Sequence, residues 1–280
     1  MKIGIRMTGA FGDVLASTPV VKRLRSENPD AEIIVETAHP YAYGGNPHVT
    51  GVCLALPPVD RLIDLNPSHR LWPGWHIVDG YMKIAFGDAE GDKTIVFARD
   101  VDATFDVPTI AVHPNVSWRN RTLAPEWWGS LVVNLRDAGY RVVSLGTGID
   151  HDLSPWGAED TRDKLLPSQQ AAVIEASAAF VCFASGLLVM AGATEAPVVS
   201  MWTISRPELD LNFRHGSIWW NSTAIRAAVP CFGCRETLPP ATYIDCKLGH
   251  YDCVRAFDAG EVAEATFAAI AADERLSSSA

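Results

Sequence analysis

The strongest constraint on this chain is the alternation within its first 37 residues. KIGIR (2–6) reads as a short strand, MTGAFGD supplies a glycine turn, and AEIIVET (31–37) resumes a strand pattern. Between them Ala16, Val20, Val21 and Leu24 recur at helical spacing, while Lys22, Arg23 and Arg25 point elsewhere. That is a βαβ opening, which favours a parallel sheet with helices on its faces.

A second cycle starts near Pro108. TIAVHP reads as a strand, PEWWGSLVVNLRDAG as an amphipathic helix ended by Gly139, and YRVVSLGTG as a strand running into a glycine turn. LPSQQAAVIEASA (helix), FVCFA (strand), SGLLVMAGATE (helix) and APVVSMW (strand) follow, and DAGEVAEATFAAIAADERL forms a C-terminal helix before a frayed SSSA tail. The chain therefore falls into two alternating α/β halves, 1–108 and 109–257, with 258–280 as helix and tail. Residues 38–108 hold scattered Pro, Gly and His with short apolar runs, GVCLAL and RLIDL, and yield few firm elements.

With 280 residues, 48% of them hydrophobic, the chain can bury a substantial core. A formal charge of -10 argues against holding nucleic acid by broad phosphate neutralisation. Met1 leads directly into a strand pattern, without a basic and then apolar leader. No window approaches the ~18 apolar residues of a membrane span. A cytoplasmic, soluble protein without membrane insertion is expected.

In an open α/β sheet, ligands bind beyond the carboxyl ends of strands. Three turns fit that position. TGAFGD has the spacing Gly9-x-x-Gly12-Asp13, which is not the dinucleotide fingerprint. Asp13 reads either as a helix cap or, if the regular helix begins with Thr18 as N-cap and Pro19 in its first turn, as a turn acid free to face a cleft. HPNVSWRNRTLAPEWW puts Arg119 and Arg121 at a strand's carboxyl end, where guanidinium forks suit phosphate oxygens or are simply solvated. FVCFASGLLVMAG opens a helix at Ser185 and Gly186, directly after a buried strand. The tryptophans of EWW and SIWW read as core or interface. Trp202, ending a strand beside the third turn, is placed to stack on a base or sugar.

Six cysteines are present. Cys53 and Cys182 stand alone in apolar surroundings and read as buried free thiols. Cys231, Cys234, Cys246 and Cys253 form a CxxC pair followed by two further thiols, a pattern that suits a tetrahedral structural metal, zinc ahead of iron. Disulfides are the structural alternative, disfavoured in a cytosolic protein. His113, His215 and His250 are open either as substitute ligands or as cleft residues.

The order of these motifs resembles the heptosyltransferase family, glycosyltransferase family 9. GAFGDVLASTPVVKRLRSENPDAEI is similar to its opening, IAVHPNVSWRNRTLAPEWWGSLVVNLRDAGYRVVSLGTG to its second-domain start, and LLPSQQAAVIEASAAFVCFASGLLVMAGATEAPVVSMW to its donor-site strand and helix. CKLGHYDC also resembles a cysteine-rich segment of some members. The resemblance implies a GT-B architecture, two Rossmann-like domains facing across a cleft, and inverting transfer from a nucleotide sugar without a catalytic metal. It implies Asp13 as general base, Arg121 against the donor diphosphate, and Ser185 and Gly186 at the donor helix. Gly12, Arg119, Gly146, Leu187 and Trp202 complete the expected donor surface. The chain departs from the pattern at Ala184, where the family has Asp, and at Val189, where it often has His. ADP-heptose or another nucleotide sugar is therefore expected as donor. The expected acceptor is a bacterial surface glycan precursor; a protein hydroxyl, a modified nucleobase or a non-catalytic nucleotide-sugar-binding role are the alternatives. The short first half implies an acceptor surface that is reduced or completed by a partner, an oligomer included.

Overall fold

The computed structural model describes residues 1–68, 74–99, 101–237 and 245–273. The SSSA tail and residues 238–244 of the cysteine-rich segment lie outside them. Two parallel sheets dominate. The first takes β1 (Lys2–Arg6), β2 (Glu32–Glu36), β3 (Gly51–Cys53) and β4 (Arg61–Asp64) in the order β3-β2-β1-β4. Ile3 lies opposite Ile33 and Ile5 opposite Val35, so apolar residues on neighbouring strands reinforce one another. α1 (Phe11–Ala16), α2 (Thr18–Glu27) and α3 (Ile77–Phe86) belong to this half.

The second sheet comprises β5 (Thr109–His113), β6 (Arg141–Ser144), β7 (Glu159–Asp160), β8 (Ala179–Phe183), β9 (Val198–Trp202) and β10 (Ser222–Arg226), in the order β10-β9-β8-β5-β6-β7. β5, β8 and β9 are buried at every residue, as continuous apolar runs covered on both faces should be. Its helices are α4 (Pro125–Asp137), α5 (Pro167–Ala176), α6 (Gly186–Ala191), α7 (Pro207–Asp210), α8 (Asp252–Arg255) and α9 (Ala259–Ala271). Trp128 of α4 is fully buried in the layer that also takes up Phe257 and Val262. Gly139 beyond α4 has φ +91°, the left-handed conformation that stops a helix. The α/β, two-sheet architecture and the C-terminal helix expected from the sequence are present.

Three local expectations are corrected. The long helix expected after the first glycine turn is split: α1 carries Asp13 in its own first turn, and α2 begins at Thr18 with Ser17, not Thr18, as N-cap. Pro19 lacks an N–H, so it fits only at a helix start. Thr18 Oγ1 instead donates back to the Leu15 carbonyl and accepts from the Val96 amide. The helix after β8 ends at Ala191, well before Glu195. Cys53 is half-buried on the edge strand β3, whereas Cys182 is fully buried and its thiol is pushed well up by burial.

Candidate active site in the cleft between the sheets

Strand order locates the site. In the second sheet the chain leaves β5 toward β6 and β7 on one side, and β8 to β10 occupy the other, so connections diverge where β5 and β8 adjoin. Ligands bind at such switch points, outside the carboxyl ends of the strands. In the first sheet β1, with β2 and β4 on either side, leads into α1. The two ends meet: a methyl group placed on Gly12 would lie 3.1 Å from the Gly186 Cα and 3.3 Å from Val189 Cγ2. Only glycine at position 12 permits this approach without a shift of backbone or side chain. A cavity of about 550 Å³ opens beside the contact.

Gly12 and Asp13 line this cavity from the first half, and Arg121, Gly146, Ser185, Gly186 and Leu187 line it from the second. The carboxylate of Asp13 accepts the Ala10 amide at 3.2 Å and so caps its own helix, while also facing the cavity. Its charge helps, after burial, to raise the hydroxyl of fully buried Tyr81 well above the ordinary phenol range. Arg121 donates to the Ala184 carbonyl at 3.0 Å and to Ser205 Oγ at 3.4 Å, and its guanidinium lies 4.3 Å from the Trp118 ring centre. Ser185 caps α6, accepting the Leu188 amide.

Two expected donor residues are placed otherwise. Arg119 is exposed outside the cavity, 4.8 Å from the ring centre of Tyr251. Trp202 borders the cavity but is 0% exposed, and its indole N–H is used on Ser200 Oγ at 2.8 Å. It is a core residue, with no face open for stacking.

Four further groups come to the cavity. His113, at the end of β5, is hydrogen-bonded through Nδ1 to Ser185 Oγ at 3.1 Å, and its Nε2 lies 3.4 Å from Asp150 Oδ2. Burial disfavours the charge of Asp150. The His113 hydrogen bond and the Thr147 and Val116 amides outweigh it, and its pKa falls below the ordinary carboxylate value. Asp210 and Arg235 are joined at 2.7 Å. Asp210 is likewise lowered: burial opposes, while Arg235, Arg121 and His76 favour the anion. Where the family pattern would supply a carboxylate at 184 there is only the Ala184 backbone, but Asp210 reaches the same cavity from α7.

The lowered Asp150 carries a pH signature. A depressed carboxylate contributes stability that is present above its unfolded pKa, about 3.9, and lost as pH falls through the folded value. Asp150→Asn is expected to cost about 1–3 kcal/mol at pH 7. Urea unfolding of both proteins across pH 7 to 3 should show that gap closing only at the acid end. A gap independent of pH would contradict the charge-based account.

The four clustered cysteines are in the thiol form and not joined in disulfides. Burial and then the neighbouring Cys231, Cys246 and Cys234 push Cys253 up to about 11, and burial with Cys231 and Cys246 raises Cys234. Four cysteine sulfurs are a donor set that suits zinc or iron. Among the described residues, however, no group of three or more ligand side chains is arranged to hold an ion. His250 pairs through Nδ1 with Asp252 and His215 through Nε2 with Glu195.

Two parallel sheets facing across a cleft at their strand ends define a GT-B protein. No protein-family model matches the chain. Within that class it is heptosyltransferase-like, similar in sequence and fold to glycosyltransferase family 9 proteins. The autotransporter heptosyltransferase BAHTCr of Citrobacter rodentium is 32% identical over 234 residues, 72% of this chain and 54% of that protein. The iron-containing dodecameric glycosyltransferase TibC of enterotoxigenic Escherichia coli superposes with a TM-score of 0.77 at 16% identity, over 98% of this chain and 79% of that one. The E. coli ADP-heptose lipopolysaccharide heptosyltransferase II superposes at 0.73 and 17% identity, over 98% and 100%. The chain spans about half the length of BAHTCr and less of two other curated autotransporter heptosyltransferases. Among the described residues no helix is long and apolar enough to cross a membrane.

Proposed function

We propose that the protein is an inverting glycosyltransferase that moves a sugar from a nucleotide donor to a hydroxyl, with Asp13 as general base and no catalytic metal. One observation carries this: a single cavity is lined by an acid from the first half and by Arg121, Ser185 and Gly186 from the second. Asp13 takes the acceptor proton as its oxygen bonds to the anomeric carbon. The bond to the donor diphosphate breaks on the opposite face, and the nucleoside diphosphate leaves against Arg121 and the Ser185–Gly186 amides. The donor and base then sit on different halves, so cleft geometry governs assembly of the site. A TibC structure contains ADP-D-β-D-heptose, which supports ADP-heptose as the first donor to test, ahead of other nucleotide sugars.

A bacterial surface glycan precursor remains a candidate acceptor. A protein hydroxyl is favoured by the curated relatives, which are named autotransporter heptosyltransferases. A cytoplasmic location suits a nucleotide-sugar donor, and the dodecameric state of TibC supports testing for an oligomer. The test of the function is release of nucleoside diphosphate across a panel of donors and acceptors, by wild type and by Asp13→Asn. Donor binding without release for any acceptor class would leave only a nucleotide-sugar-binding protein.

The same reading extends to a structural ion at Cys231, Cys234, Cys246 and Cys253, supported by the four-thiol donor set and by the iron of TibC. It would tie the CxxC turn to residues 246–253. Elemental analysis of the purified protein is expected to give about one zinc or iron per chain, lost in Cys234→Ser. Metal-free wild type retaining full thermal stability would refute it.

A further inference from the structure

The CxxC turn has a second consequence, seen in what lies between and beside its thiols. Cys231, Phe232, Gly233 and Cys234 lead directly into Arg235. The turn is fastened to the exit of β9: the Gly233 amide donates to the Thr203 carbonyl at 3.1 Å and the Arg235 amide to the Ile204 carbonyl at 2.7 Å. Gly233 has φ +75°, a conformation that favours glycine and reverses the chain there. Glu236 closes the back of the turn, accepting the Arg206 amide at 3.0 Å. The Arg235 side chain reaches the wall of the cavity, where it meets Asp210.

Arg235 and Arg121 both act on the charge of Asp210, the first as the larger influence. Arg235 is 23% and Asp210 19% exposed, so the pair sits at the cavity wall under limited screening. A guanidinium presents five donors in a rigid planar fork, and the carboxylate bond fixes the plane of that fork. We infer that Arg235, delivered by the cysteine turn and aimed by Asp210, binds the donor diphosphate together with Arg121. This rests on the donor-site reading above and extends it to a residue that follows the thiols in sequence. It also gives the cysteine-rich segment a direct part in substrate binding: whatever holds the turn closed also holds an arginine in the donor site.

Calorimetric titration with inorganic pyrophosphate, ADP and adenosine tests it. Arg235→Gln is expected to weaken pyrophosphate and ADP about 10- to 100-fold while leaving adenosine unchanged. Arg141→Gln, at the exposed start of β6 and outside the cavity lining, should leave all three as in wild type. Gly233→Val, which strains the turn at its φ +75° residue and lies outside the cavity lining, should weaken pyrophosphate in the same direction. The double variant with Arg235→Gln should show little added loss, because both changes remove one interaction. If Arg235→Gln does not fold, wild type supplies the answer: pyrophosphate should protect Arg235 from phenylglyoxal, read by peptide mass spectrometry. Wild-type affinity in folded Arg235→Gln, an equal loss for adenosine, additive losses with Gly233→Val, or no protection would each overturn the inference while leaving the transferase reading standing. Failure of wild type to bind pyrophosphate or ADP, or to release nucleoside diphosphate from any donor, would sink both.

Discussion

Asp13→Asn is expected to bind the nucleotide sugar as wild type does and to lose about 10²–10⁴ in turnover, the usual contribution of a positioned general base. The substitution is nearly isosteric, and the remaining side-chain oxygen can still accept the Ala10 amide that Asp13 accepts at 3.2 Å. The capping role is therefore largely preserved, and stability should change by less than the roughly 1 kcal/mol of a lost cap. A residue that served only as a cap would leave both melting temperature and turnover near wild type in Asp13→Asn, and would lower the melting temperature only in Asp13→Ala. The two roles do not exclude each other. The carboxylate that closes the first turn of α1 also faces the cavity beside Gly12 and Gly186, and the cap fixes its orientation before any acceptor arrives. Turnover by nucleoside diphosphate release, read together with donor affinity by calorimetry, separates the cases. Equal turnover in the variant would remove Asp13 from the base position.

The sequence made the sheets legible where side-chain period and burial agree. KIGIR and AEIIVET alternate with an apolar helical face, and FVCFA and APVVSMW are continuous apolar runs that only a covered parallel strand accommodates. α3 was hidden because Gly80 interrupts its pattern and its cap is the ring of His76, which accepts the Val78 amide, in place of a Ser, Thr or Asp. β10, STAIR, is a polar edge strand and carries no apolar period. In the cavity, the turns after β1, β5 and β8 could be found because each directly follows a recognisable strand. Asp150, Asp210 and Arg235 could not: they approach His113, Arg121 and Ser185 only after folding. Arg235 had one visible signal, its place directly after CxxC, but that spacing also points to a metal site. Trp202 shows the opposite failure. A strand-terminal aromatic beside a ligand turn looks like a stacking platform, yet the layer above β9 encloses it fully.

Arg121→Gln is expected to lower turnover by about 10²–10³, the range for removing one preorganised group that stabilises developing negative charge. The leaving diphosphate gains negative charge as the glycosidic bond to it breaks. A guanidinium aimed at those oxygens therefore binds the transition state more strongly than the ground state. The loss should accordingly fall more on turnover than on KM. Arg121 also has structural contacts, with the Ala184 carbonyl, Ser205 Oγ and the Trp118 ring. A purely structural arginine would reveal itself as a lower melting temperature with proportionate loss of donor affinity and little change in turnover. Arg121→Lys sharpens the distinction, since it keeps the charge and gives up the planar fork that fits two phosphate oxygens at once. Partial recovery of turnover in the lysine variant, at unchanged thermal stability in both, would assign Arg121 to the leaving group. Recovery of stability alone would assign it to packing around β5 and β8, and the positive potential for the departing diphosphate would then have to come from elsewhere in the cavity.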